Sequence, residues 1–247
     1  LIRSDPATPR RDVTETDVGS VFVSNYPPYS FWRPEHVDEA SATLQEPFDQ
    51  PSGTPLGLYL HIPFCRKRCK FCYFKVYTDK NSDDIQTYID ALVREIELYA
   101  ETPKVAGRQL LFVYFGGGTP SLMPPETVAA VLRQIATRWT LPSDGDITLE
   151  ANPTSAEDGT LDAIAAAGVN RISLGVQALD AESLRFLGRA HGIDEAIDAV
   201  RLAQQAVPRV SFDLIYGRPG QTVAAWREEL SRALAFAGDH LSVYQLT

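Results

Sequence analysis

Three shortages in the sequence each exclude a class of protein: few cysteines, few basic residues and no long apolar run. Lys and Arg number 23 against 32 Asp and Glu, which gives a formal net charge of -9. Proteins that grip nucleic acid backbones neutralise phosphates with Lys and Arg, and a membrane-spanning helix needs about 20 consecutive apolar residues. We therefore expect neither a nucleic acid partner nor a transmembrane segment.

The few cysteines exclude a disulfide framework. An odd count leaves one thiol unpaired in any scheme, and all three thiols, Cys65, Cys69 and Cys72, lie within eight consecutive residues. The first residues also contain no short apolar core of a secretory signal. We therefore expect a cytoplasmic protein, in a compartment where thiols stay reduced.

The remaining composition is that of an ordinary globular protein, with 44% hydrophobic and 22% charged residues. Residues 1–55 differ from the rest because prolines recur through them, which predicts an irregular N-terminal arm. The arm contains an aromatic segment, Tyr26–Trp32, that would be costly to leave in water. We expect this segment to pack against the following domain, with a substrate lid or a partner-binding segment as the alternative.

From Leu56 onward, short apolar runs alternate with longer segments of helical periodicity, which predicts βαβ units on a parallel sheet. The predicted strands are 57–62, 109–115, 146–151, 171–176, 209–216 and 240–246. Apolar residues three and four apart predict the helices between them. The helical segments are 85–96, 128–135, 161–167, 181–187, 194–205 and 223–237, with Asp180 as an N-cap.

A right-handed βαβ repeat of six strands that curls is an α/β fold, a partial (β/α)6 TIM-like barrel. A flat doubly wound sheet is the alternative. Barrel-type folds carry their sites at the carboxyl ends of the strands. Polar residues and glycines lie at these ends here, which predicts a site at that edge of the sheet.

The three cysteines have the spacing CxxxCxxC, which indicates a metal site. Iron-sulfur clusters are held by cysteine thiolates, and three thiolates on a four-iron cubane leave one iron without a protein ligand. Such an open iron can bind a substrate or cofactor, as the open position of a catalytic zinc does. A structural zinc site, completed by His61 as a Cys3His set, is the alternative, and it would make the protein a zinc-stapled binding protein rather than an enzyme.

Further candidate residues follow the later strands. Gly116, Gly117 and Gly118 come directly after the second strand, where glycines let the backbone run close to a ligand; a tight turn is the alternative. Glu150 ends the third strand and could instead order a loop. Asp213 lies inside the apolar fifth strand, and a buried acid needs a partner or a ligand hydroxyl.

The segment from Tyr59 to Cys72, YLHIPFCRKRCKFC, together with the downstream GGGTP, resembles the radical S-adenosylmethionine (SAM) enzymes. It resembles in particular the oxygen-independent coproporphyrinogen III oxidase-like family, over about residues 56–247. The resemblance implies an oxygen-sensitive [4Fe-4S] cluster on the three cysteines. It also implies a low-potential electron donor such as flavodoxin or ferredoxin, and reductive cleavage of SAM to a 5′-deoxyadenosyl radical that abstracts hydrogen from a substrate.

The resemblance also implies SAM contacts along the barrel edge. The glycine triplet matches the site for the methionyl amino group of SAM, and Glu150 and Asp213 match acidic SAM contacts. Gln177, Arg189 and Asp213 fit the pattern of a second bound SAM, and the planar guanidinium of Arg189 suits a carboxylate. Further positions that coincide with family SAM contacts are Tyr59, Phe71, Thr119 and Thr247.

One departure from the family concerns the reaction. True coproporphyrinogen oxidases carry a fourth cysteine two places after the third, but here Cys72 is followed by Tyr73 and Phe74. The branches without that cysteine are heme chaperones and class C radical SAM methyltransferases, the latter including cyclopropanases that act on small-molecule natural products. The segment Tyr73–Lys80 and the aromatic arm favour the methyltransferase branch. A heme chaperone or a coproporphyrinogen dehydrogenase-like protein of porphyrin metabolism is the alternative.

Two further expectations concern the C-terminal end of the sequence and its histidines. Family members carry a further C-terminal region that helps to close the substrate pocket, whereas this sequence stops in the predicted final strand. We therefore expect residues 56–247 to be the core domain of a truncated chain. His191 and His240 are expected to be surface or hydrogen-bonding residues rather than metal ligands.

Overall fold

The computed structural model describes residues 33–47, 54, 56–141, 144–156, 159–238 and 240–246. The chain divides into two units, one of residues 1–42 with Thr247 and one of Thr43–Leu246. The larger unit contains every strand described. The predictions for the aromatic segment Tyr26–Trp32 and for Thr247 lie outside the described residues, and the predicted domain boundary at residues 55 and 56 stays a prediction.

A six-stranded parallel sheet forms the centre of the larger unit. Its strands are Leu56–Ile62 (β1), Leu110–Gly117 (β2), Asp146–Ala151 (β3), Arg171–Gln177 (β4), Arg209–Tyr216 (β5) and Ser242–Gln245 (β6). Each strand pairs with the next one along the chain, in the order β1 to β6. A doubly wound sheet would instead reverse its strand order at a switch point. The sheet therefore confirms the predicted α/β fold, a partial (β/α)6 TIM-like barrel.

The helices of the described residues lie where apolar periodicity predicted them, with one addition. They are Glu35–Gln45 (α1), Ser82–Ala100 (α2), Pro125–Arg138 (α3), Thr160–Ala166 (α4), Ala181–Leu187 (α5), Ile193–Ala206 (α6) and Val223–Leu234 (α7). Helix α1 lies in the stretch expected to be irregular. Because Pro34 and Pro47 flank this helix, they bound it rather than interrupt it.

Local capping explains where the helices begin. Asn81 accepts a hydrogen bond from the Asp84 amide at 2.9 Å and opens α2 with a capping box. Asp180, the predicted cap, accepts one from the Ser183 amide at 2.7 Å and opens α5. Each cap satisfies an amide that the first turn of a helix leaves without an intrahelical partner. Strand-to-helix turns are thereby fixed at the edge of the sheet that carries the candidate site.

The two faces of the sheet differ in chemistry because alternate strand residues point to opposite sides. On the helix-covered face, buried residues such as Leu60, Leu149 and Phe212 join the main hydrophobic core. The opposite face carries Tyr59 of β1, which pairs in register with Tyr114 of β2. The face away from the helices is therefore the polar and aromatic one, and we refer to it as the inner face.

Candidate active site

The loop after β1 carries the cysteines and is tied down at both ends. The Cys65 amide donates to the Tyr77 carbonyl at 3.0 Å, and the Tyr77 amide donates to the Pro63 carbonyl at 2.8 Å. The Lys70 amide donates to the carbonyl of Leu187, the last residue of α5, at 3.0 Å. The backbone thus holds the cysteine loop at the carboxyl edge of the sheet before any cofactor is considered.

All three thiols are free and half-buried. The Thr119 hydroxyl lies 3.4 Å from the Cys65 sulfur, and an Arg189 guanidinium nitrogen lies 3.0 Å from the Cys69 sulfur. Burial raises the pKa of the Cys65 thiol, and the hydrogen bond from Thr119 acts in the opposite direction. A hydroxyl and a guanidinium are donors that suit a thiolate, which is the form of cysteine that binds metals.

The donor set fits a four-iron cluster better than a single ion. In the described ranges, no three His, Cys, Asp or Glu side chains are grouped as ligands of one metal ion. A four-iron cluster binds each thiolate to a different iron, so the sulfurs do not need to converge on one point. The zinc alternative needs His61 as a fourth ligand; the Nδ1 atom of His61 lies 3.2 Å from the Tyr59 hydroxyl, which leaves its Nε2 atom for a metal.

The glycine run after β2 lies against the start of the cysteine loop. The Gly118 amide donates to the Ile62 carbonyl at 2.8 Å, and a Cβ atom on Gly118 would lie 2.6 Å from the Phe64 carbonyl oxygen. Gly117 has a φ of 115°, which side-chain-bearing residues rarely adopt. Gly118 is therefore required by the close approach of the Phe64 backbone, and Gly117 by its conformation. A simple tight turn would not explain the first of these requirements.

Glu150 is held by hydrogen bonds to both of its carboxylate oxygens. Oε1 accepts from the Tyr114 hydroxyl at 2.9 Å, and Oε2 accepts from the Gly117 amide at 3.0 Å. Burial raises the pKa of Glu150, and the two hydrogen bonds lower it. The ring of Tyr114 stacks on that of Tyr59, with centroids 5.8 Å apart. One network thereby joins three strands and the glycine run.

The carboxyl end of β4 is strained. Gln177 has a φ of 72°, the one positive value among the non-glycine residues described, and the β4–β5 register shifts between Leu174 and Gln177. Such a conformation costs on the order of 1 to 3 kcal/mol and persists where the surroundings over-determine it. Arg189 donates to the Gly175 carbonyl at 2.6 Å, and the His191 ring lies 3.0 Å from the Val176 carbonyl.

Arg189 therefore has two contacts, one to the Cys69 sulfur and one to the Gly175 carbonyl. His191 is 3% exposed, and burial lowers its pKa to about 4, so its ring is neutral at pH 7. This agrees with the prediction of a hydrogen-bonding residue. These two side chains satisfy carbonyls near the register shift of β4.

Asp213 lies on β5, and its carboxyl interacts electrostatically with that of Glu150. Burial, together with the charge of Glu150, raises the pKa of Asp213 to about 7, although a hydrogen bond from Ser242 and the charge of Arg189 act in the opposite direction. The inner face thus holds two carboxyl groups at the same end of the barrel. Such a pair favours a ligand that carries positive charge.

A cavity of about 270 Å³ opens beside Cys69. Three of its lining residues carry positive charge at neutral pH, and Thr119 is shared with the thiol site. The lining residues are Arg66, Lys67, Cys69, Thr119, Leu122, Asn152, Thr154, Gly188, Arg189 and Ala190. The cavity therefore belongs to the cysteine loop and its immediate surroundings.

The structure brings most of the predicted site residues to one edge of the sheet. The thiols of Cys65 and Cys69 have direct hydrogen-bond contact with Thr119 and Arg189 respectively. Phe71 packs against an apolar cluster that includes Leu184 of α5, so its role as a SAM contact stays a prediction.

Two features near the site have no clear signal in the sequence. Tyr114 reads as an ordinary strand residue, and its bond to Glu150 depends on the pairing of β2 with β3. The buried pair of Arg218 and Glu229, each 6% exposed, also went unnoticed. A glutamate in an amphipathic helix reads as a solvated residue, so the sequence offers no signal for its burial.

Comparison with known proteins agrees with this geometry. Residues 59–233 match the Radical SAM superfamily. A mouse protein, radical S-adenosyl methionine domain-containing protein 1, mitochondrial, is 44% identical over 82% of this chain and 46% of its own length. The heme chaperone HemW of Escherichia coli is 37% identical over 78% of this chain and 51% of its own.

A solved structure agrees as well. The coproporphyrinogen III oxidase HemN of Escherichia coli, a radical SAM enzyme, superposes with a TM-score of 0.74 at 29% identity, covering 92% of this chain and 51% of that one. This chain belongs to the radical SAM superfamily, in its oxygen-independent coproporphyrinogen III oxidase-like family. It spans about half the length of the relatives that it matches.

Membership of this family implies a [4Fe-4S] cluster and SAM as cofactors. The half-buried thiol triplet and the glycine run against it fit that requirement. Within the described part of the chain, no helix has the length and apolar character needed to cross a membrane. The number of SAM molecules, the electron donor and the compartment stay predictions.

Proposed function

We propose that the chain is the core of a heme-binding radical SAM protein of the chaperone type. Its proposed task is to bind heme for transfer, with a [4Fe-4S] cluster on Cys65, Cys69 and Cys72. The observation that carries the proposal is the 37% identity to a heme chaperone. The thiol triplet without a fourth cysteine supports it against an oxidase, because Phe74 occupies the position of that cysteine in the oxidases.

The cluster and SAM, when bound, supply an electron and a radical precursor. The chain's own residues then have separate tasks in this proposal. Close packing of Gly118 on the start of the cysteine loop places the glycine run beside the cluster, where its backbone is proposed to bind the amino group of SAM. Arg189 offers its guanidinium to a carboxylate. Glu150 and Asp213 provide negative charge that favours a sulfonium. Because both oxygens of Glu150 are already hydrogen-bonded, its carboxylate needs little reordering on binding.

Aromatic side chains support a flat macrocyclic ligand. Tyr73 is 59% exposed and Phe74 is 40% exposed, and their rings stack with centroids 4.7 Å apart. On the inner face, Tyr59 is 51% exposed. Large rings left in water favour contact with another apolar surface. A porphyrin offers such a surface, and its propionates suit the basic residues of the cysteine loop.

The test is an anaerobic titration of the reconstituted protein with heme, followed by absorbance and gel filtration. We expect about one heme retained per chain and no SAM turnover in its presence. A Tyr73→Ala, Phe74→Ala variant should retain less heme, whereas Tyr99→Ala, an exposed tyrosine on α2, serves as the matched control. Failure of the wild type to retain heme would overturn the proposal.

A two-SAM methyltransferase or cyclopropanase is the second candidate. Gln177, Arg189 and Asp213 fit the second-SAM pattern, which is the observation that favours it. None of the three relatives described above is named as a methyltransferase, so the predicted methyltransferase branch gains no support from them. Mass spectrometry with SAM labelled at its methyl group distinguishes the two candidates, since label transferred to a small molecule would favour the methyltransferase.

A further inference from the structure

A buried ion pair lies against the turn that follows β4. Arg218 comes from the loop after β5 and Glu229 from α7, and their side chains are 5% and 7% exposed. An Arg218 nitrogen contacts the Glu229 Oε2 atom directly. Because desolvating two charges offsets much of their attraction, such a pair is weak evidence for a stabilising role. Its remaining contacts are therefore more informative.

Those contacts lead to the turn between β4 and α5. The Leu179 amide donates to Glu229 Oε1 at 2.7 Å, and the other Arg218 nitrogen lies 3.4 Å from a carboxylate oxygen of Asp180, the N-cap of α5. Gln221 donates to Glu229 Oε2 at 3.1 Å. The ion pair thus holds two consecutive residues of one turn, Leu179 through its backbone and Asp180 through its side chain.

That turn begins with the strained residue. Leu179 lies two positions after Gln177, whose φ of 72° is unfavourable for a residue with a side chain. The Glu229 bond fixes the backbone on the far side of Gln177, while Arg189 and His191 bind the carbonyls on the near side. Strained residues of this kind cluster at ligand sites when their surroundings hold them.

We propose that Glu229, with Arg218 as its counter-ion, is a positioning residue for SAM binding. Through the Leu179 amide it holds Gln177 in its left-handed conformation. In that conformation the Gln177 side-chain amide nitrogen and the Arg189 guanidinium both lie against Gly175, at 3.1 and 3.3 Å from the position of a Cβ atom there. Glu229 itself does not touch SAM. This inference rests on the proposed assignment of Gln177 as a contact of a second bound SAM, which the methyltransferase candidate also requires.

Removing one partner alone would leave a buried charge unpaired and destabilise the fold. The test therefore uses two charge-balanced variants, Arg218→Leu with Glu229→Gln and Arg218→Leu with Glu229→Leu. The first keeps an acceptor for the Leu179 amide and the second does not. We expect the second to bind SAM about tenfold more weakly than the first, as loss of one buried hydrogen bond predicts.

Both variants are studied as cluster-loaded holoprotein, and SAM binding is measured by equilibrium dialysis with labelled SAM, which counts every bound SAM and not only one at the cluster. Amide hydrogen exchange of a peptide covering residues 176–180 gives a second readout, and we expect faster exchange in the Glu229→Leu variant alone. Adding Gln177→Ala to each variant removes the side chain that the turn presents. If Glu229 acts through Gln177, the effects of changing the two residues are coupled and do not add. The difference in SAM affinity between the two variants should then shrink to less than about twofold.

The outcomes separate this inference from the proposed function. A wild-type holoprotein that binds SAM, together with two double variants that bind it equally well, would overturn the positioning role alone. An undiminished difference in the Gln177→Ala background would also overturn it, because Glu229 would then act on the fold in general. A wild-type holoprotein that retains its cluster but binds no SAM would instead overturn the SAM site on which the proposed function depends.

Discussion

The two halves of the site are built in different ways. The half from β1 to β3 is held by short backbone contacts, with Gly118 against Phe64 and Gly117 bound to Glu150. The half from β4 to β6 contains a strained residue, Gln177, and a carboxyl group with a raised pKa, Asp213. The first half is fixed by its backbone, whereas the second depends on side chains that hold it in an unfavourable state.

The cysteine loop connects the two halves. Cys65 contacts Thr119 after β2, and Cys69 contacts Arg189, which binds the end of β4. A cluster on these thiols would therefore join a rigid half to a strained one. Substitutions in the first half should therefore act mainly through steric overlap, and substitutions in the second half through charge and backbone conformation.

The largest effect is expected from breaking the connection itself, with Cys69→Ser. Serine is a poor replacement for a thiolate on iron, so iron and sulfide content after anaerobic reconstitution should fall by about tenfold or more. Lys67→Ser, in the same loop but with an exposed side chain, is the control and should keep its cluster. Full cluster content in Cys69→Ser would show that the triplet is not the ligand set.

A smaller effect is expected in the first half from Gly118→Ala. The added Cβ would lie 2.6 Å from the Phe64 carbonyl oxygen, so the backbone must shift. Overpacking of this kind costs about 1 to 3 kcal/mol, measurable as a lower free energy of unfolding in urea. Gly192→Ala is the matched control, since nothing lies within 4 Å of its Cβ position. Equal stabilities of the two variants would contradict the close fit.

In the second half, the stability of the cofactor-free protein should depend on pH through Asp213. Its folded pKa of about 7 is above the ordinary value of 3.8, so the folded state holds the proton more tightly. This contribution to stability is present at low pH and is lost as pH rises towards about 7. The free energy of unfolding should therefore fall more between pH 5 and 8 in the wild type than in Asp213→Asn, by on the order of 1 kcal/mol. Parallel pH profiles of the two proteins would contradict the raised pKa.

The smallest effect is expected from Tyr114→Phe, which removes one of the two hydrogen bonds to Glu150. A single hydrogen bond contributes about 0.5 to 1.5 kcal/mol, so SAM affinity, measured by calorimetry on the holoprotein, should weaken only a few-fold. The Gly117 amide still holds the carboxylate. A loss of SAM affinity far beyond a few-fold would mean that the first half is not fixed by its backbone.

The strands and most helices were predictable because periodicity of apolar residues reports directly on burial. The predicted strand Asp146–Ala151 agrees with the structure at both ends, as does α5 with its cap Asp180. Helix α1 was missed because the many prolines of residues 1–55 hid a proline-free stretch. Prolines do break regular structure, but the distance between Pro34 and Pro47 is long enough for a helix of about three turns.

The site was predictable only in part. The cysteine spacing and the glycine run are both recognisable from local sequence. Because they follow neighbouring parallel strands, their contact at one edge of the sheet could also be predicted. The strain at Gln177 and the bond from Glu229 to the Leu179 amide could not be read in the same way. They join positions that are distant along the chain, and no local pattern reports such contacts.

The α/β class, the positions of the strands along the chain and the set of thiols follow from the sequence alone, because each depends on short-range pattern and residue chemistry. The order of the strands in the sheet, which excludes a doubly wound fold, required the tertiary structure. The tertiary structure alone decided which groups are buried together: Glu150 with Tyr114 and Gly117, and Glu229 with Arg218 and the Leu179 amide. Burial sets the pKa of Asp213 and the conformation available to Gln177. Both depend on neighbours brought together from separate strands, and the energy of such contacts exists only once the chain has folded.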